Sequence, residues 1–307
     1  MIGRIYISDE NDPYFNVSSE HALFLKSTET TQLYLWQNSS CIVCGRNQNV
    51  HAECNMEFLK KNSILPVRRF SGGGAVYHDL GNLNFTFITR EKKADVDKYL
   101  RVIKEAMHSI NVHCEFSGRN DLLTDGKKFS GHAYYSDEGN YLYHGTIMVD
   151  VDMETLTQAL NPSKLKMKSK GIDSVRSRVV NLRQISEDIT IDTVKKAMIQ
   201  AFQEIFHGEY NVEHINKDNF TPPLYEKIQS EGWIFGESPE FSLGVERKLA
   251  QGNVTISVDV LDGKINHMTI QTDSLEPYDF ADCINGLIGT FYDEDLVFEH
   301  VENFMMQ

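Results

Sequence analysis

The chain has 307 residues and a formal charge of −14, with 44 Asp and Glu against 30 Lys and Arg. That balance excludes general nucleic-acid binding, though not a local basic site. A hydrophobic content of 41% and a charged content of 24% are ordinary for a soluble globular protein, long enough for one large or two smaller domains.

The opening Met1-Ile2-Gly3-Arg4-Ile5-Tyr6 runs straight into Ser8-Asp9-Glu10, so no signal peptide is expected. No apolar run is long enough to span a bilayer. The five cysteines are an odd, scattered set, which points to a reducing cytoplasm. Ile2 to Ser8 alternates as a strand does. Asn16 or Ser18 is placed to cap a helix through His21-Ala22-Leu23-Phe24-Leu25. Leu33 to Trp36 and Cys41 to Cys44 read as strands around an Asn38-Ser39-Ser40 turn. The Cys41-x-x-Cys44 spacing has no second copy, and strand residues three apart point to opposite faces. Both thiols therefore read as core packing. Gly45-Arg46-Asn47-Gln48-Asn49 makes a polar loop, and Met56 to Lys61 a helix.

The most informative stretch follows: Arg68-Arg69-Phe70-Ser71-Gly72-Gly73-Gly74-Ala75-Val76-Tyr77-His78-Asp79-Leu80-Gly81-Asn82. Three adjacent glycines are poor filler for a regular element. They suit a turn whose N–H groups approach an anion, and two arginines beside them supply charge. The competing reading is a mobile surface loop. The stretch is neither a Walker loop nor a Rossmann fingerprint.

Ala94 to Ile110 carries Val96, Tyr99, Leu100, Ile103 and Met107 at helical spacing. His113 to Phe116 is a short strand, and Asp125-Gly126 marks a hairpin. Counting from that turn, Lys128, Ser130, His132 and Tyr134 are expected on one face, with Phe129, Gly131, Ala133 and Tyr135 on the other. A lysine beside a hydroxyl and an imidazole is either site lining or a guard against edge pairing. Tyr141 to Asp150 is another strand, with His144, Thr146, Met148 and Asp150 on one face. His78, His132 and His144 lack the spacing of a helical metal site, so no metal ligand is assigned. Between Asn161 and Arg183, seven Lys and Arg face Asp173 alone. The apolar residues among them suit a loop that folds over an anion. Ile191 to Phe206 is an amphipathic helix. The pattern breaks near Gly244, and Val254 to Val260, Ile265 to Ile270 and two short helices complete a small unit. The expected domains are residues 1–244 and 245–307.

These motifs together closely resemble the lipoate–protein ligases, relatives of the biotin ligases. The resemblance spans nearly the whole chain. It rests on Arg68-Arg69 with Ser71 to Asn82, on Gly118-Arg119-Asn120-Asp121-Leu122, on Lys128 with Ser130-Gly131, on His144-Gly145-Thr146, and on Lys170-Gly171-Ile172 with Ser174 to Arg178. It implies an α+β fold, with a mixed-sheet catalytic domain (1–244) and a small α+β accessory domain (245–307). It also implies a two-step reaction: lipoate and ATP give lipoyl-AMP, and the lipoyl group passes to a lysine of an acceptor lipoyl domain. By position, Arg69, Gly74, Ala75, Val76, Tyr77, Asp121, Lys128, Lys170 and Arg176 fall on the ATP/adenylate site. Ser71, Gly72, Gly73, His78, His144, Gly145 and Lys128 fall on the lipoate site, and Lys128 is the catalytic residue. Mg²⁺ would accompany ATP. The implied acceptors are 2-oxoacid dehydrogenase E2 subunits or the glycine-cleavage H protein. Phe70, Tyr77, Phe85, Phe87 and Ile147 are candidates for the lipoyl slot, though they also read as core.

Three other readings compete with this one. A transferase of octanoyl or lipoyl groups would need a cysteine nucleophile. Cys114 precedes the Asp121 motif, and no cysteine follows until Cys283. A non-catalytic lipoate-binding module would more readily have lost Arg69, Lys128 or the glycines. A biotin ligase would carry a Gly-Arg-Gly-Arg type of loop, which is absent.

Overall fold

In the computed structural model, which describes residues 3–117, 121–160, 179–238, 241–274 and 278–306, the alternating segments assemble into one large mixed sheet and two small ones. One compact unit comprises Met1–Arg46 and His51–Gln229. The other comprises Asn47–Val50 and Ser230–Gln307.

The first unit opens with β1 (Gly3–Ser8), α1 (Pro13–Leu25), β2 (Gln32–Trp36) and β3 (Cys41–Cys44). After α2 (Val50–Glu53) come α3 (Met56–Lys61), β4 (Leu65–Arg68), β5 (Val76–His78), β6 (Asn82–Arg90) and α4 (Val96–Ser109). The chain continues through β7 (Glu115–Ser117), β8 (Asp121–Thr124), β9 (Lys127–Asp137), β10 (Asn140–Met148) and α5 (Met153–Ala159). It then reaches the helix Ile191–Phe206, β11 (Tyr210–Ile215) and the helix Tyr225–Gln229. The large sheet has the order β11-β1-β2-β6-β10-β9-β8-β7. β11, β1 and β2 are parallel and the remaining pairs antiparallel. A three-stranded sheet, β4-β3-β5, lies in the same unit.

Strand alternation gives β6 two different faces. Leu83, Phe85 and Phe87 join a core with Tyr99, Val102 and Met107 of α4 and Val194, Met198 and Phe202 of the helix Ile191–Phe206. Asn84 and Thr86 point the other way. There Thr86 meets Glu20 of α1. Phe85, Phe87 and Ile147 are thus core residues rather than slot lining. Helix α1 starts earlier than the caps read at Asn16 or Ser18. Asp12 is the N-cap, its carboxylate accepting from the N–H groups of Tyr14 and Phe15, and Pro13 takes the first turn.

The Asp125-Gly126 hairpin forms as expected, with φ of 49° and 72°. A bulge then changes the face count. Leu122 pairs with Ser130, yet Leu123 pairs with Lys128, so Phe129 is an extra residue in β9. Beyond the bulge the parity reverses. Lys128 shares its side with Gly131 and Ala133, while Ser130 and His132 face the core. The expected grouping of Lys128 with Ser130 and His132 is corrected accordingly.

In the second unit, β12 (Phe241–Leu249), β13 (Gly252–Leu261) and β14 (Lys264–Thr272) form an antiparallel sheet. Val254, Ile256, Val258 and Val260 of β13 pack with Val297, Phe298 and Val301 of the helix Glu294–Met305. Gly244 pairs with Ser257 inside β12. A boundary after Gly244 would cut this strand, so the pattern break read there is a glycine within a β ladder.

Candidate functional site

A cavity of about 290 Å³ opens in the first unit on the polar side of the large sheet. Its wall holds Arg69, Gly73, Gly74, Ala75, Val76 and His78 from the glycine loop and β5. It also holds Asp121, Lys128, His144 and Gly145 from β8, β9 and β10. The triple-glycine bend and the Lys128 ammonium therefore share one cavity.

Strand β5 presents alternate residues to the cavity. Val76 and His78 reach it, and Tyr77 turns away to donate from its hydroxyl to Ser40 Oγ at 3.3 Å. Ser71 and Gly72 are not on the wall either; Ser71 is buried behind it and Gly72 is exposed. Lys170 and Arg176, and with them the basic loop, lie outside the described residues, as do Gly118, Arg119 and Asn120.

Arg69 is buried and shapes the bend. Its Nε donates to Ser71 Oγ at 3.0 Å, and its Nη1 to the Val43 carbonyl at 2.8 Å. Its Nη2 donates to the carbonyls of Gly72 at 2.7 Å and Gly74 at 2.8 Å. Because the peptide group is planar and trans, fixing those two carbonyls turns the N–H groups of Gly73 and Ala75 away from the guanidinium. Such N–H groups make an anion-binding concavity. Gly73 has a φ of 91°, which glycine adopts without cost. Burial pushes the guanidinium down to about 10, with Cys44 and Glu20 opposing the shift. A second anchor holds the bend from outside. The Arg46 N–H donates to the Ser71 carbonyl at 2.9 Å, and Gly45 lies so close to the Gly73 carbonyl that a Cβ there would clash.

Lys128 Nζ lies 2.8 Å from Asp121 Oδ1, and both side chains are partly open to solvent. The lysine folds back over Gly131, where a Cβ would stand 2.9 Å from Nζ. The Lys128 carbonyl accepts from the Val180 N–H at 2.9 Å, which fixes the strand beneath it.

A buried chain of hydrogen bonds supports the wall. Ser71 Oγ and His144 Nε2 are 2.7 Å apart, and His144 Nδ1 is 2.7 Å from Glu20 Oε1. Thr86 donates to the same carboxylate oxygen at 2.6 Å, and Trp36 Nε1 donates to Thr86 at 3.2 Å. Burial would raise the Glu20 carboxyl. The charge and hydrogen bond of His144, the Thr86 hydroxyl and Arg69 outweigh it, so the group sits below its ordinary value. Since the Arg69 Nε–H already points at Ser71 Oγ, the serine proton is directed to His144 Nε2 when the imidazole is neutral. Ser71 braces His144 and is off the wall.

Glu20, Trp36, Asn84 and Thr86 escaped the sequence reading. For Asn84 and Thr86 a signal existed, as polar residues alternating with Leu83, Phe85 and Phe87. Glu20 carried a weaker one, an acid in the middle of a helix that buries nearly every turn. The apolar part of the wall is Val17, Trp36, Val43, Ala75, Val76 and Ala133 rather than Phe70, Tyr77, Phe85, Phe87 and Ile147. Phe70 stacks on His21 with ring centroids 3.7 Å apart. His132 touches the cavity but engages both ring nitrogens, with Ser130 at 2.8 Å and Tyr143 at 2.7 Å.

None of the five cysteines is on the wall. Cys44 faces Cys54 across 3.8 Å, and burial raises the Cys114 thiol. Among the described residues no group of three His, Cys, Asp or Glu side chains could hold a metal ion, and no helix is long and apolar enough to cross a membrane.

Residues 12–203 match the lipoyl protein ligase A/B catalytic domain family, and residues 238–307 match the bacterial lipoate protein ligase C-terminus. The lipoate-protein ligase A of Blochmanniella floridana is 36% identical over 299 residues, covering 94% of this chain and 89% of that protein. The lipoate-protein ligase A of Bdellovibrio bacteriovorus is 35% identical over 306 residues, covering 96% and 90%. Among solved structures, P. falciparum LipL1 in complex with lipoate superposes with a TM-score of 0.66 at 25% identity, over 99% of each chain. A bi-partite lipoate protein ligase of Thermoplasma acidophilum, described with its E2 lipoyl domain, gives a TM-score of 0.69 at 25% identity, over 77% of this chain and 97% of that one.

Proposed function

The chain belongs to the lipoate–protein ligase family, ATP-dependent enzymes that attach lipoate to protein, and from that premise we propose how its own residues divide the work. The observation that carries the reading is the single cavity shared by Gly73, Gly74 and Lys128.

In the first step the lipoate carboxylate attacks the α-phosphorus of ATP and pyrophosphate leaves. Negative charge grows on the phosphoryl oxygens, and catalysis is mostly positioning and electrostatics. The Gly73 and Ala75 N–H groups, turned outward by Arg69, receive those oxygens. Arg69 itself acts through the loop, since its donors are committed to main-chain carbonyls and Ser71. The Lys128 ammonium leaves Asp121 to bridge the lipoyl carbonyl and the adenylate phosphate. Asp121 holds it ready before substrate arrives. In the second step the amine of an acceptor lysine attacks the carbonyl of lipoyl-AMP, and Lys128 stabilises the oxyanion as AMP departs.

Gly73, Gly74, Ala75, Val76, Asp121 and Lys128 form the adenylate side of the wall. His78, His144 and Gly145 form the lipoate side. Ser71 and Tyr77 serve from behind it, and the exposed Gly72 serves through the carbonyl that Arg69 holds. Lys170 and Arg176 would supply further cations to the adenylate. Mg²⁺ enters as the counter-ion of the triphosphate, its usual mode, rather than as a resident ion of the protein. The acceptor is a lipoyl domain of a 2-oxoacid dehydrogenase E2 subunit or the H protein of glycine cleavage. The first unit carries the catalytic chemistry and the second the accessory role, in the cytoplasm.

The test is pyrophosphate release, with isolation of lipoyl-AMP. Release should require both lipoate and ATP and should persist in Cys114→Ser. Lipoyl transfer without ATP, or its abolition by that substitution, would instead favour the thiol route.

A further inference from the structure

Two polar atoms of cavity-wall residues are buried with no hydrogen-bond partner among the described residues: His78 Nε2 and Asn84 Nδ2. The two side chains are 3% and 1% exposed. An orphaned buried donor calls for an explanation, and on a cavity wall the natural one is a ligand.

Both atoms are donors, and the surrounding network makes them so. Asn16 Oδ1 accepts from the hydroxyls of Ser8 and Tyr34. Its amide nitrogen must then donate, and one of its acceptors is Asn38 Oδ1 at 3.0 Å. Asn38 Nδ2 is therefore the donor facing His78 Nδ1 at 3.2 Å. With Nδ1 accepting, the neutral imidazole carries its proton on Nε2. The ring stays neutral because burial, helped by Arg69 and His144, pushes it down to about 3. The Asn84 amide is oriented the same way. Its oxygen accepts from Asn82 Nδ2 at 2.9 Å, which leaves the NH₂ facing outward from that bond.

The two donors flank one indole. Trp36 pairs with Asn84 across β2 and β6, and His78 stands edge-on to Trp36 with ring centroids 6.0 Å apart. Asn84 is on β6 and Lys128 on β9, with β10 between them. Asn84 stands opposite Thr146 and Thr146 opposite Gly131, over which the Lys128 ammonium lies, so two strand spacings, roughly 10 Å, separate that ammonium from Asn84. That is the reach of an extended five-carbon chain ending in a ring. Lipoate with its carboxylate at Lys128 thus puts its ring beside Trp36, His78 and Asn84.

We propose that His78 and Asn84 determine acid specificity by donating to the sulfur atoms of the lipoate ring, so that a 1,2-dithiolane is preferred over an apolar tail of similar length. The inference rests on the reading of the cavity as the lipoate site. Sulfur is a weak acceptor, but it is an acceptor. An alkyl tail would strip water from both donors and return nothing, and a site with buried polar groups rejects the analogue that leaves them unpaired.

The test compares kcat/KM for pyrophosphate release with lipoate, with 5-cyclopentylpentanoate, in which both sulfurs become CH₂, and with octanoate. In the wild-type protein the carbocycle should be about tenfold poorer than lipoate, and octanoate no better than the carbocycle. In Asn84→Leu and in His78→Phe the ratio should fall to within about twofold, because the carbocycle improves in absolute rate. Equal wild-type use of lipoate and the carbocycle overturns the proposal without any variant being made. A parallel loss for both acids in the variants, at an unchanged ratio, overturns it too. Absence of lipoate-dependent pyrophosphate release defeats the ligase reading itself, whereas release with no preference for sulfur defeats only the role of this pair.

Discussion

Lys128 stands just before the bulged residue of β9, and that position lets its side chain lie over Gly131 and meet Asp121. A long cation held by one carboxylate can change partner when a more negative group arrives. Loss of an oxyanion donor typically costs ~10²–10³ in rate. Lys128→Met is expected to lower lipoyl transfer by at least that factor while the circular dichroism and melting profile stay close to wild type. Retained transfer would remove the lysine from the mechanism. The histidines permit a second prediction. Burial, helped by neighbouring cations, holds His78 and His132 near 3 in the folded chain. In the unfolded chain both titrate near 6.5. Between those values the unfolded state binds more protons, so stability is complete above pH 6.5 and is lost as pH falls toward 3. Each group contributes about 1.4 kcal/mol per pH unit within that window. His21, which burial holds near 4, adds a similar loss, so urea midpoints at pH 7.0 and 5.5 should differ by an amount equivalent to about 3–4 kcal/mol. A flat profile would mean that these rings are charged in the fold.

At the scale of elements, the glycine bend was legible because three glycines and two arginines have few other uses in one turn. The hairpin at Asp125-Gly126 was legible for the same kind of reason. What lay beyond the sequence was the consequence of a single extra residue. Phe129 is apolar and fits either parity, so nothing in β9 announces the bulge that moves Lys128 to the side of Gly131. Glu20 was hidden differently. Its partner His144 is 124 positions away, and Ser71, the next member of the network, is 73 positions from that histidine; no local pattern records a contact made by folding. The second anchor of the bend was visible only as a motif, Gly45-Arg46, without its purpose. The structure supplies it: a Cβ at Gly45 would run into the Gly73 carbonyl. Gly45→Ala should displace the bend while sparing the distant wall formed by Trp36 and Asn84. Misplacement by about 1 Å can cost on the order of 10² in rate. The KM for ATP is expected to rise about 10- to 100-fold, with the lipoate Kd from calorimetry unchanged. If both constants shift together, the bend and the lipoate wall are not separable in this way.

At the scale of the whole molecule the two units divide the chemistry unevenly. Every wall residue lies between Val17 and Thr146, in the first unit. The second unit has a core of its own, built from β13, β14 and the two helices that follow, and domains with separate cores can fold separately. Yet Asn47–Val50 group with Ser230–Gln307, and these four residues are joined covalently to Gly45-Arg46, the outer anchor of the bend. A chain shortened to residues 1–229 keeps the whole wall but strips Asn47–Val50 of the rest of their unit. Lipoate binding should then survive, with a Kd within about threefold of the full chain, since nothing that touches the acid is removed. Lipoate-dependent pyrophosphate release should fall by about tenfold or more, because the anchor that places the Gly73 amide loses support. Calorimetry with lipoate and a pyrophosphate assay on the same preparation separate the two effects. Release at the full-chain rate would mean that the bend is held by Arg69 alone. A lost lipoate affinity would mean that the second unit shapes the wall as well.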